Sequence, residues 1–548
     1  MNIFKFCNSY TNKYKKEVYA YFISGVISSG ILAILPYSIG KFIDLLVISK
    51  SEDTIVKYCI VFGLLNIVKC ILNYISKVLY VKIQTNAAYD LNSSVIDHIK
   101  CLPISFFYNK DPVYLNQRIN NDSNIVISFF IDFILNISIN LMNLLLAIIL
   151  VTSVDVKLLI IFLALIFIYM MIYFTLKSKI YSATLKFRED QSNLFAKLNE
   201  QLNNVVFIKK HDLSSKFKKR LDIAYKTLYK SAVINQKLDA SFSLYDELLA
   251  FIAQLLVFII GGIGVINGKT SIGILTITLS YFNMILNSIK YFFQLGKMYQ
   301  GNLVSYERIQ SLLNIKVQYD GNIELNNIKD IVLKDVTFKY DNKLIIENFN
   351  ERFEKGKIYL LVGENGAGKS TIINLIIGLH TNEYKGNIYY NDHDIYELNM
   401  NYNRKNNISV TEQEPTLIHD TILNNILLDI DSYNQEYLDF LIDILGFKSY
   451  IDTLELGINT IINPLNNNIS GGEKQKIAII RSLIKKSDFI ILDEPTSALD
   501  KHTIINLKQH LQDIKSTKLI VIITHDNSIY DICDEFIKLD KVNSAYET

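Results

Sequence analysis

The stretch KIYLLVGENGAGKSTIINLIIGL, residues 357–379, decides the fold of the second half of this chain. A short apolar run at 358–362 predicts a strand, and the residues that follow the loop predict a helix. The loop fits the pattern G-x-x-x-x-G-K-[ST], whose small residues let successive backbone N–H groups converge on phosphate oxygens at the positive end of the helix. The stretch therefore predicts a strand, a phosphate-binding loop and a helix in succession.

The loop pattern also assigns roles to individual side chains. Lys369 is expected to reach the β- and γ-phosphates of ATP, and Ser370 is expected to give its hydroxyl to Mg²⁺. The residues of this segment expected to contact the nucleotide are Gly363, Asn365, Gly366, Gly368, Lys369, Ser370 and Thr371. The alternative is a glycine-rich turn that binds nothing, and the flanking strand and helix argue against it.

A second apolar run, FIILDE at 489–494, ends in two acids. Asp493 is expected to hold Mg²⁺ through water. Glu494 is expected to polarise the attacking water as a general base. Taken alone, two acids at the end of a strand can also cap a turn.

The segment ISGGEKQK at 469–476 closely resembles the signature motif of ABC-type ATPases, and PTSALD follows the two acids at 495–500. In that family the signature of one ATPase domain completes the nucleotide site of another. The resemblance therefore implies that Ser470, Gly471 and Gly472 act in a dimer. We expect a homodimer, with a heterodimer of two half-transporters as the alternative.

The same resemblance implies roles for residues in three further segments, VTFKY, VTEQEP and VIITHD. Tyr340 would stack on adenine, Gln413 would bind Mg²⁺ and sense the membrane domain, and His525 would contact the γ-phosphate. Asp500 resembles the residue of the D-loop. The alternatives are a plain strand aromatic for Tyr340 and a surface turn histidine for His525.

The chain as a whole is too apolar for a simple cytosolic enzyme. The chain of 548 residues is 50% hydrophobic, with a mean hydropathy of +0.21. Six apolar stretches are long enough to cross a bilayer, which takes roughly 20 residues of helix. They are 18–47, 55–81, 124–151, 156–176, 247–266 and 272–293.

The predicted fold is a multidomain membrane protein. It has an all-α six-helix transmembrane domain of the ABC exporter type at 1–315, followed by an α/β P-loop ABC ATPase domain at 316–548. The segment between the fourth and fifth spans, 177–245, holds 14 Lys and Arg against 6 Asp and Glu. The positive-inside rule therefore places this segment, the N-terminus and the ATPase domain in the cytoplasm.

Two long cytoplasmic segments, one between the second and third spans and one between the fourth and fifth, are predicted to form helices that extend from the membrane. Within them, 87–100 and 185–237 contain no Pro or Gly. By resemblance to the family, short coupling helices are expected near 107–113 and 206–212. Two departures bear on coupling. Glu473 stands where the family usually has glutamine and is expected to affect the rate, and TIINPLNNN at 460–468 has Asn463 and Pro464 in place of the family's glutamate and glycines.

Polar side chains form stripes on the third and sixth spans. Spacings of three and four residues put the members of each stripe on one helix face. The members are Asp132, Asn136, Asn140 and Asn143 on one span, and Asn283, Asn287, Lys290 and Gln294 on the other. We expect both stripes to line a substrate path and Asp132 to pair with Lys290. The alternative is interhelical hydrogen bonding with no cargo contact.

These features together predict ATP-driven export of a peptide or an amphipathic small molecule across a plasma membrane. The alternatives are a lipid flippase of the same architecture and an ATP-gated channel or sensor. The balance of 56 Lys and Arg against 54 Asp and Glu disfavours nucleic acid as a partner. The abundance of Ile, Asn and Lys and the lack of Trp favour an AT-rich, bacterial genome. No leader peptidase domain and no regulatory C-terminal extension are expected.

Overall fold

The computed structural model describes residues 3–48, 52–108, 112–152, 156–318, 320–340, 343–381, 383–430, 432–463 and 469–541. Its internal contacts divide the chain into two compact units. The first comprises Met1–Leu102 and Asn109–Lys316, and the second comprises Pro103–Tyr108 and Val317–Thr548. We call them the helical unit and the α/β unit.

Long helices make up the helical unit. In chain order the helices are α1 Ile3–Thr11, α2 Lys15–Ile48, α3 Glu52–Lys100, α4 Ser105–Tyr108 (which belongs to the α/β unit), α5 Pro112–Thr152, α6 Val156–Asn203, α7 Val205–Lys210, α8 Ser214–Ile266 and α9 Ile272–Leu313. Among the residues described, five segments are long and apolar enough to cross a membrane, and they lie on α2, α3, α5, α8 and α9. The fourth predicted span, 156–176, lies on α6, where many side chains fall outside the described set.

The membrane helices α2 and α9 approach each other closely at a pair of glycines. A Cβ atom built on Gly273 would lie 2.2 Å from the carbonyl oxygen of Gly40, so neither position has room for a side chain. Beside this contact the Asp44 carboxylate of α2 accepts hydrogen bonds from the backbone N–H of Gly273 at 2.9 Å and from the Ser271 hydroxyl at 2.8 Å. A small-residue contact and a side chain from α2 thus fix the start of α9.

The helices continue beyond the apolar stretches, as the sequence predicts. One predicted helical segment is nevertheless broken at a point where the sequence has no Pro or Gly. The expected unbroken helical segment 185–237 is interrupted between α6 and α8, where Asp212 has a φ of +48° and Leu213 donates a backbone hydrogen bond to Ile208 at 2.9 Å. The coupling helix expected at 206–212 overlaps α7. The one expected at 107–113 is wrong in its bounds, because α4 ends at Tyr108 and α5 already begins at Pro112.

The α/β unit alternates strands and helices. Its strands are β1 Asp330–Tyr340, β2 Lys343–Glu354, β3 Ile358–Gly363, β4 Tyr384–Tyr390, β5 His393–Asp394, β6 Ile408–Thr411, β7 Asp420–Thr421, β8 Ile461–Ile462, β9 Phe489–Asp493, β10 Leu519–Ile523 and β11 Glu535–Leu539. Its remaining helices are α10 Lys369–Ile376, α11 Met400–Asn406, α12 Ile422–Leu427, α13 Gln435–Ile444, α14 Lys448–Ile451, α15 Gly471–Ile484 and α16 Lys501–Ile514.

A parallel sheet in the order β11-β3-β10-β9-β6 forms the centre of this unit. The strands β3, β9 and β10 are almost entirely buried, which explains why they read as continuous apolar runs in the sequence. The edge strand β11 alternates instead, with Phe536 and Lys538 exposed. An antiparallel sheet in the order β2-β1-β4-β5 accompanies it. Because β3, β9 and β10 are parallel neighbours, the loops that follow their carboxyl ends meet at one edge of the sheet.

Candidate functional site

The glycine-rich loop between β3 and α10 has a backbone conformation that glycine adopts most readily. Gly366 and Gly368 have φ angles of +82° and +97°, in the left-handed region that favours glycine. A Cβ atom on Gly368 would also lie 3.1 Å from a side-chain carbon of Ile345 on β2. The glycines therefore leave the backbone of the loop accessible at the N-terminus of α10. There, free N–H groups and the helix dipole favour the binding of an anion.

The lysine at the start of α10 lies over this loop. Its ammonium donates hydrogen bonds to the carbonyl oxygens of Gly363 at 2.6 Å and Glu364 at 3.2 Å. The same nitrogen lies 3.2 Å from Nε2 of His525, which follows β10. Lys369 and His525, which follow the neighbouring strands β3 and β10, thus lie side by side at the same edge of the sheet.

The acid that follows β9 is held firmly in a strained conformation. Glu494 has a φ of +48°, which costs on the order of 1–3 kcal/mol for a residue with a side chain. Its carboxylate accepts hydrogen bonds from the Thr524 hydroxyl at 2.9 Å and from the His525 backbone N–H at 3.2 Å. Gln475 of α15 donates to the Glu494 carbonyl oxygen at 3.2 Å. These contacts fix the carboxylate at the edge of the sheet.

The preceding acid, Asp493, lies in a less hydrated environment. Burial raises its pKa to about 6, and the neighbouring charge of Glu494 acts in the same direction, while Lys369 opposes both. A strongly shifted pKa on a carboxylate in a cleft is typical of a functional site.

These side chains surround one cavity of about 420 Å³. Its lining includes the predicted residues Tyr340, Asn365, Gly366, Gly368, Lys369, Ser370, Thr371, Gln413, Asp493, Glu494 and His525. Lys343 and Ile345 of β2 also line it, and we did not predict them. They follow Tyr340 closely in the sequence, so a prediction of a β1–β2 hairpin would have found them.

Tyr340 lies at the rim of the cavity within an aromatic cluster. Its ring packs edge-on against Tyr108 of α4 at a centroid distance of 5.5 Å, and against Phe338 at 4.8 Å. The Tyr340 and Tyr108 hydroxyls lie 3.4 Å apart, and Ser105 of α4 donates a hydrogen bond to Glu383. The short helix between the second and third predicted spans therefore packs beside the residue expected to stack on adenine.

The signature residues lie outside the lining of this cavity. Ser470 caps α15, where its hydroxyl accepts from the backbone N–H of Glu473 at 3.3 Å and its own N–H donates to the Glu473 carboxylate at 2.9 Å. Gly471 and Gly472 form the first turn of that helix. Asp500 caps α16 and accepts from the Thr503 hydroxyl at 2.7 Å, which lowers its pKa to about 2.

The capping contacts give Glu473 a structural role that we did not predict, although the spacing of Ser470 and Glu473 is the S-x-x-E pattern of a capping box. Its carboxylate satisfies a backbone donor in a capping box, and a glutamine could do the same. Of the second departure, Pro464 and the asparagines that follow it, residues 464–468, lie outside the described residues.

The oxygen donors at the cavity fit Mg²⁺. Ser370, Gln413 and Asp493 offer a hydroxyl, an amide and a carboxylate, which are the hard ligands that this ion prefers. Within the part of the chain described, no group of three or more His, Cys, Asp or Glu could hold a metal. Mg²⁺ is usually shared between few protein groups and the phosphates of the substrate.

The polar stripes of the membrane helices have different partners from those expected. Lys290 forms an ion pair with Asp246 of α8, and Tyr169 of α6 donates a hydrogen bond to the same carboxylate. The expected pair of Lys290 with Asp132 is therefore wrong. Asp246 was missed because it lies one residue before the predicted fifth span, yet the packing of α8 on α9 buries it to 4% exposure.

The other stripe residues lie along α5 and α9. Asp132 accepts a hydrogen bond from Tyr80 at 3.4 Å, and Asn140 donates to the carbonyl oxygen of Asn136 at 2.8 Å. On α9, Asn283 accepts from Gln254 at 2.5 Å. Asn283 and Asn287 are exposed in the single chain.

Family models match most of the chain. A model described as "ABC transporter transmembrane region" matches residues 18–289, and one described as "ABC transporter" matches residues 346–497. Together they match more than three quarters of the sequence.

Relatives and solved structures match nearly its whole length. The chain is 28% identical to the multidrug resistance-like ATP-binding protein MdlA of Buchnera aphidicola subsp. Baizongia pistaciae, over 94% of this chain and 90% of that protein. It is 23% identical to an ATP-dependent lipid A-core flippase of Syntrophus aciditrophicus, over 94% and 86%. The structure of a bacterial Atm1-family ABC exporter with ATP bound matches with a TM-score of 0.87 at 18% identity, over 96% of this chain and 94% of that one.

Proposed function

Because this chain belongs to the ABC transporter family and carries both its transmembrane region and its ATPase, we propose that it exports a peptide or an amphipathic small molecule as a homodimer. ATP hydrolysis drives the export. The observation that carries the proposal is the convergence of Lys369, Glu494 and His525 on one cavity of about 420 Å³.

The residues of the cavity divide the chemistry of hydrolysis among them. Lys369 and the backbone N–H groups of the loop bind and orient the phosphates, and Tyr340 stacks on adenine. Glu494 takes the proton of the attacking water, and Thr524 holds its carboxylate in position. His525 donates to the γ-phosphate.

Mg²⁺ would be held by Ser370, Gln413 and Asp493. When bound, it neutralises charge on the phosphate oxygens. The contact of Gln475 with the Glu494 carbonyl supports a role for α15 in transmitting the state of the signature to the catalytic acid.

Dimerisation would supply the missing part of each site. Ser470 stands at the N-terminus of α15, where the helix dipole and free N–H groups favour a phosphate of a second chain. Gly471 and Gly472 begin the same helix, and Asp500 would act at the same dimer interface by resemblance to the family. A homodimer is favoured because one sequence carries Lys369, Glu494, Ser470 and His525 together. A heterodimer with a second half-transporter is the alternative.

We place the helical unit in a bacterial plasma membrane, with the N-terminus and the α/β unit in the cytoplasm. The basic segment 177–245 supports this orientation. Asp132, Asn136 and Asn140 on α5, with Asn283, Asn287 and Lys290 on α9, would line the path of the cargo. A lipid flippase is the second candidate, favoured by the flippase names of several relatives.

The experiment is ATP hydrolysis by the full chain in nanodiscs, measured against a panel of peptides, amphipathic drugs and lipids. We expect turnover that one cargo class raises, with Lys369→Ala as the inactive baseline. Stimulation by lipids alone would replace export of peptides or drugs with the flippase. Turnover equal to that of Lys369→Ala would contradict ATP hydrolysis by this chain alone.

A further inference from the structure

Two cavities meet at one arginine in the helical unit. The apolar cavity, of about 220 Å³, has a lining that includes Leu176, Ile180, Tyr181, Arg188, Phe242 and Met298. The arginine cavity, of about 300 Å³, has a lining that includes Arg118, Asp122, Arg188, Gln191 and Arg308. Helix α6 runs past both of them, and Arg188 belongs to both linings.

The arginine cavity carries an excess of positive charge. Three guanidinium groups and one carboxylate line it. The carboxylate of Asp122 is 3% exposed and lies 3.1 Å from Nε of Arg308. Arg118 donates to the Arg308 carbonyl oxygen at 2.6 Å, which ties α5 to α9. Since one acid faces three cations, these contacts leave the lining suited to an anion.

Arg188 is placed to serve both cavities. Its Nη1 donates a hydrogen bond to the Ser305 hydroxyl at 3.2 Å, and a guanidinium has five N–H donors in all. A Cβ atom on Gly301 would lie 4.0 Å from Nη2 of Arg188, an ordinary van der Waals distance, so the guanidinium lies close beside this glycine of α9. The aliphatic stem of an arginine can cover apolar surface while its head faces a polar one.

We propose that the two cavities form one binding site for an anionic amphiphile, with the apolar segment in the apolar cavity and a phosphate head group in the arginine cavity. Inorganic phosphate would leave the apolar cavity unused, and a neutral amphiphile would make no ionic contact with the guanidinium groups of the arginine cavity. Together the cavities fall within the roughly 300–1,000 Å³ typical of sites for small molecules. The inference rests on the proposed function and deepens it by naming the chemical class of the cargo.

The chain contains no Trp, so one introduced Trp is a clean fluorescent reporter. Tyr181→Trp places it in the apolar cavity, and Met171→Trp places it on the same helix at a position that is 66% exposed. The full chain in nanodiscs of neutral lipid is titrated without nucleotide. Dodecyl phosphate and dodecyl maltoside, both with brominated chains, are the quenching ligands. Dodecyltrimethylammonium and inorganic phosphate, which carry no bromine, are added as competitors.

We expect saturable quenching of the Tyr181→Trp fluorescence by dodecyl phosphate. Arg188→Gln should raise the midpoint at least tenfold, Arg188→Lys should raise it less, and Lys186→Gln, which removes an exposed cation of the same helix, should leave it unchanged. The maltoside should quench both reporters alike, through partition into the bilayer. Neither competitor should displace the phosphate amphiphile.

Three results would overturn the inference. They are equal quenching of the two reporters by dodecyl phosphate, an unchanged midpoint in Arg188→Gln, and full displacement by inorganic phosphate, which would make the arginine cavity a site for the free anion. The competition with dodecyltrimethylammonium uses no Arg188 variant. It therefore still tests the preference for an anionic head group if the Arg188→Gln protein does not fold. The titration contains no ATP, so it measures binding independently of ATP-driven export. A failure of export would therefore leave the binding result unchanged.

Discussion

The nucleotide cavity of the α/β unit and the arginine cavity of the helical unit both suit an anion, but they are built in opposite ways. The nucleotide cavity takes most of its groups from loops at the ends of neighbouring parallel strands, and each loop brings several of them together in sequence. The arginine cavity takes one guanidinium each from α5, α6 and α9. A motif fixes the first cavity, whereas only the packing of long helices assembles the second.

The largest expected effect is on the acid of the nucleotide cavity. Glu494→Gln keeps the size of the side chain and removes the base, so ATP turnover should fall roughly 10²–10⁴-fold. Glu436→Gln, on the exposed face of α13, is the matched control and should keep wild-type turnover. If the Glu494→Gln protein keeps more than a tenth of wild-type turnover, Glu494 is not the general base of ATP hydrolysis.

The next effect concerns a contact that helix packing alone creates. Asp246→Asn leaves Lys290 without its ion pair, and we expect a loss of about 2 kcal/mol, below the ~3–5 kcal/mol of a fully buried pair because Lys290 is 39% exposed. The melting temperature in detergent should fall by several degrees. Asp246→Asn combined with Lys290→Met should recover much of the loss, and Asp132→Asn should have less effect than Asp246→Asn. Equal losses in the two single variants would contradict the observed pairing.

A smaller effect is expected at the residue that positions Glu494. Thr524→Val keeps the shape of the side chain and removes a hydrogen bond of 2.9 Å to the carboxylate. A hydrogen bond to a charged group contributes ~1.5–3 kcal/mol, so kcat should fall about tenfold or more with little change in the KM for ATP. Thr517→Val, an exposed threonine of the same unit, is the control. A rise in KM at constant kcat would point to nucleotide binding instead.

The smallest effect tests the capping box of the signature helix. Ser470→Ala should lower stability by about 1 kcal/mol, because the backbone N–H of Glu473 loses its acceptor. Glu473→Gln should leave the melting temperature unchanged, since glutamine serves equally in the box. If Glu473→Gln melts as low as Ser470→Ala, the carboxylate has a further role that the box does not describe.

Sequence and structure agree best where the chemistry is local. The strand before the loop, predicted at 358–362, is β3 Ile358–Gly363, and the run at 489–494 contains β9 with Glu494 directly after it. Tyr340, Gln413 and His525 were placed by family resemblance, because nothing in their spacing says that they share a cavity. Lys343 could have been predicted from the hairpin, whereas the role of Thr524 depends on a side-chain distance.

Agreement is poorer where distant helices meet. Hydropathy places the membrane stretches but does not show which charges face each other, so Lys290 was paired with Asp132 and Asp246 was missed. The break at Asp212 has no Pro or Gly to announce it. Arg118, Arg188 and Arg308 lie on three separate helices, and no pattern in the sequence joins them.

One measurement tests the central claim most directly, namely ATP-dependent accumulation of radiolabelled dodecyl phosphate in inside-out proteoliposomes that contain the full chain. We predict uptake by the wild type with ATP and Mg²⁺. Glu494→Gln should abolish the uptake, Arg188→Gln should reduce it, and the control Lys186→Gln should leave both the uptake and basal ATP hydrolysis unchanged. Uptake that is equal in wild type and Glu494→Gln, or equal with and without ATP, would contradict ATP-driven export of this cargo class.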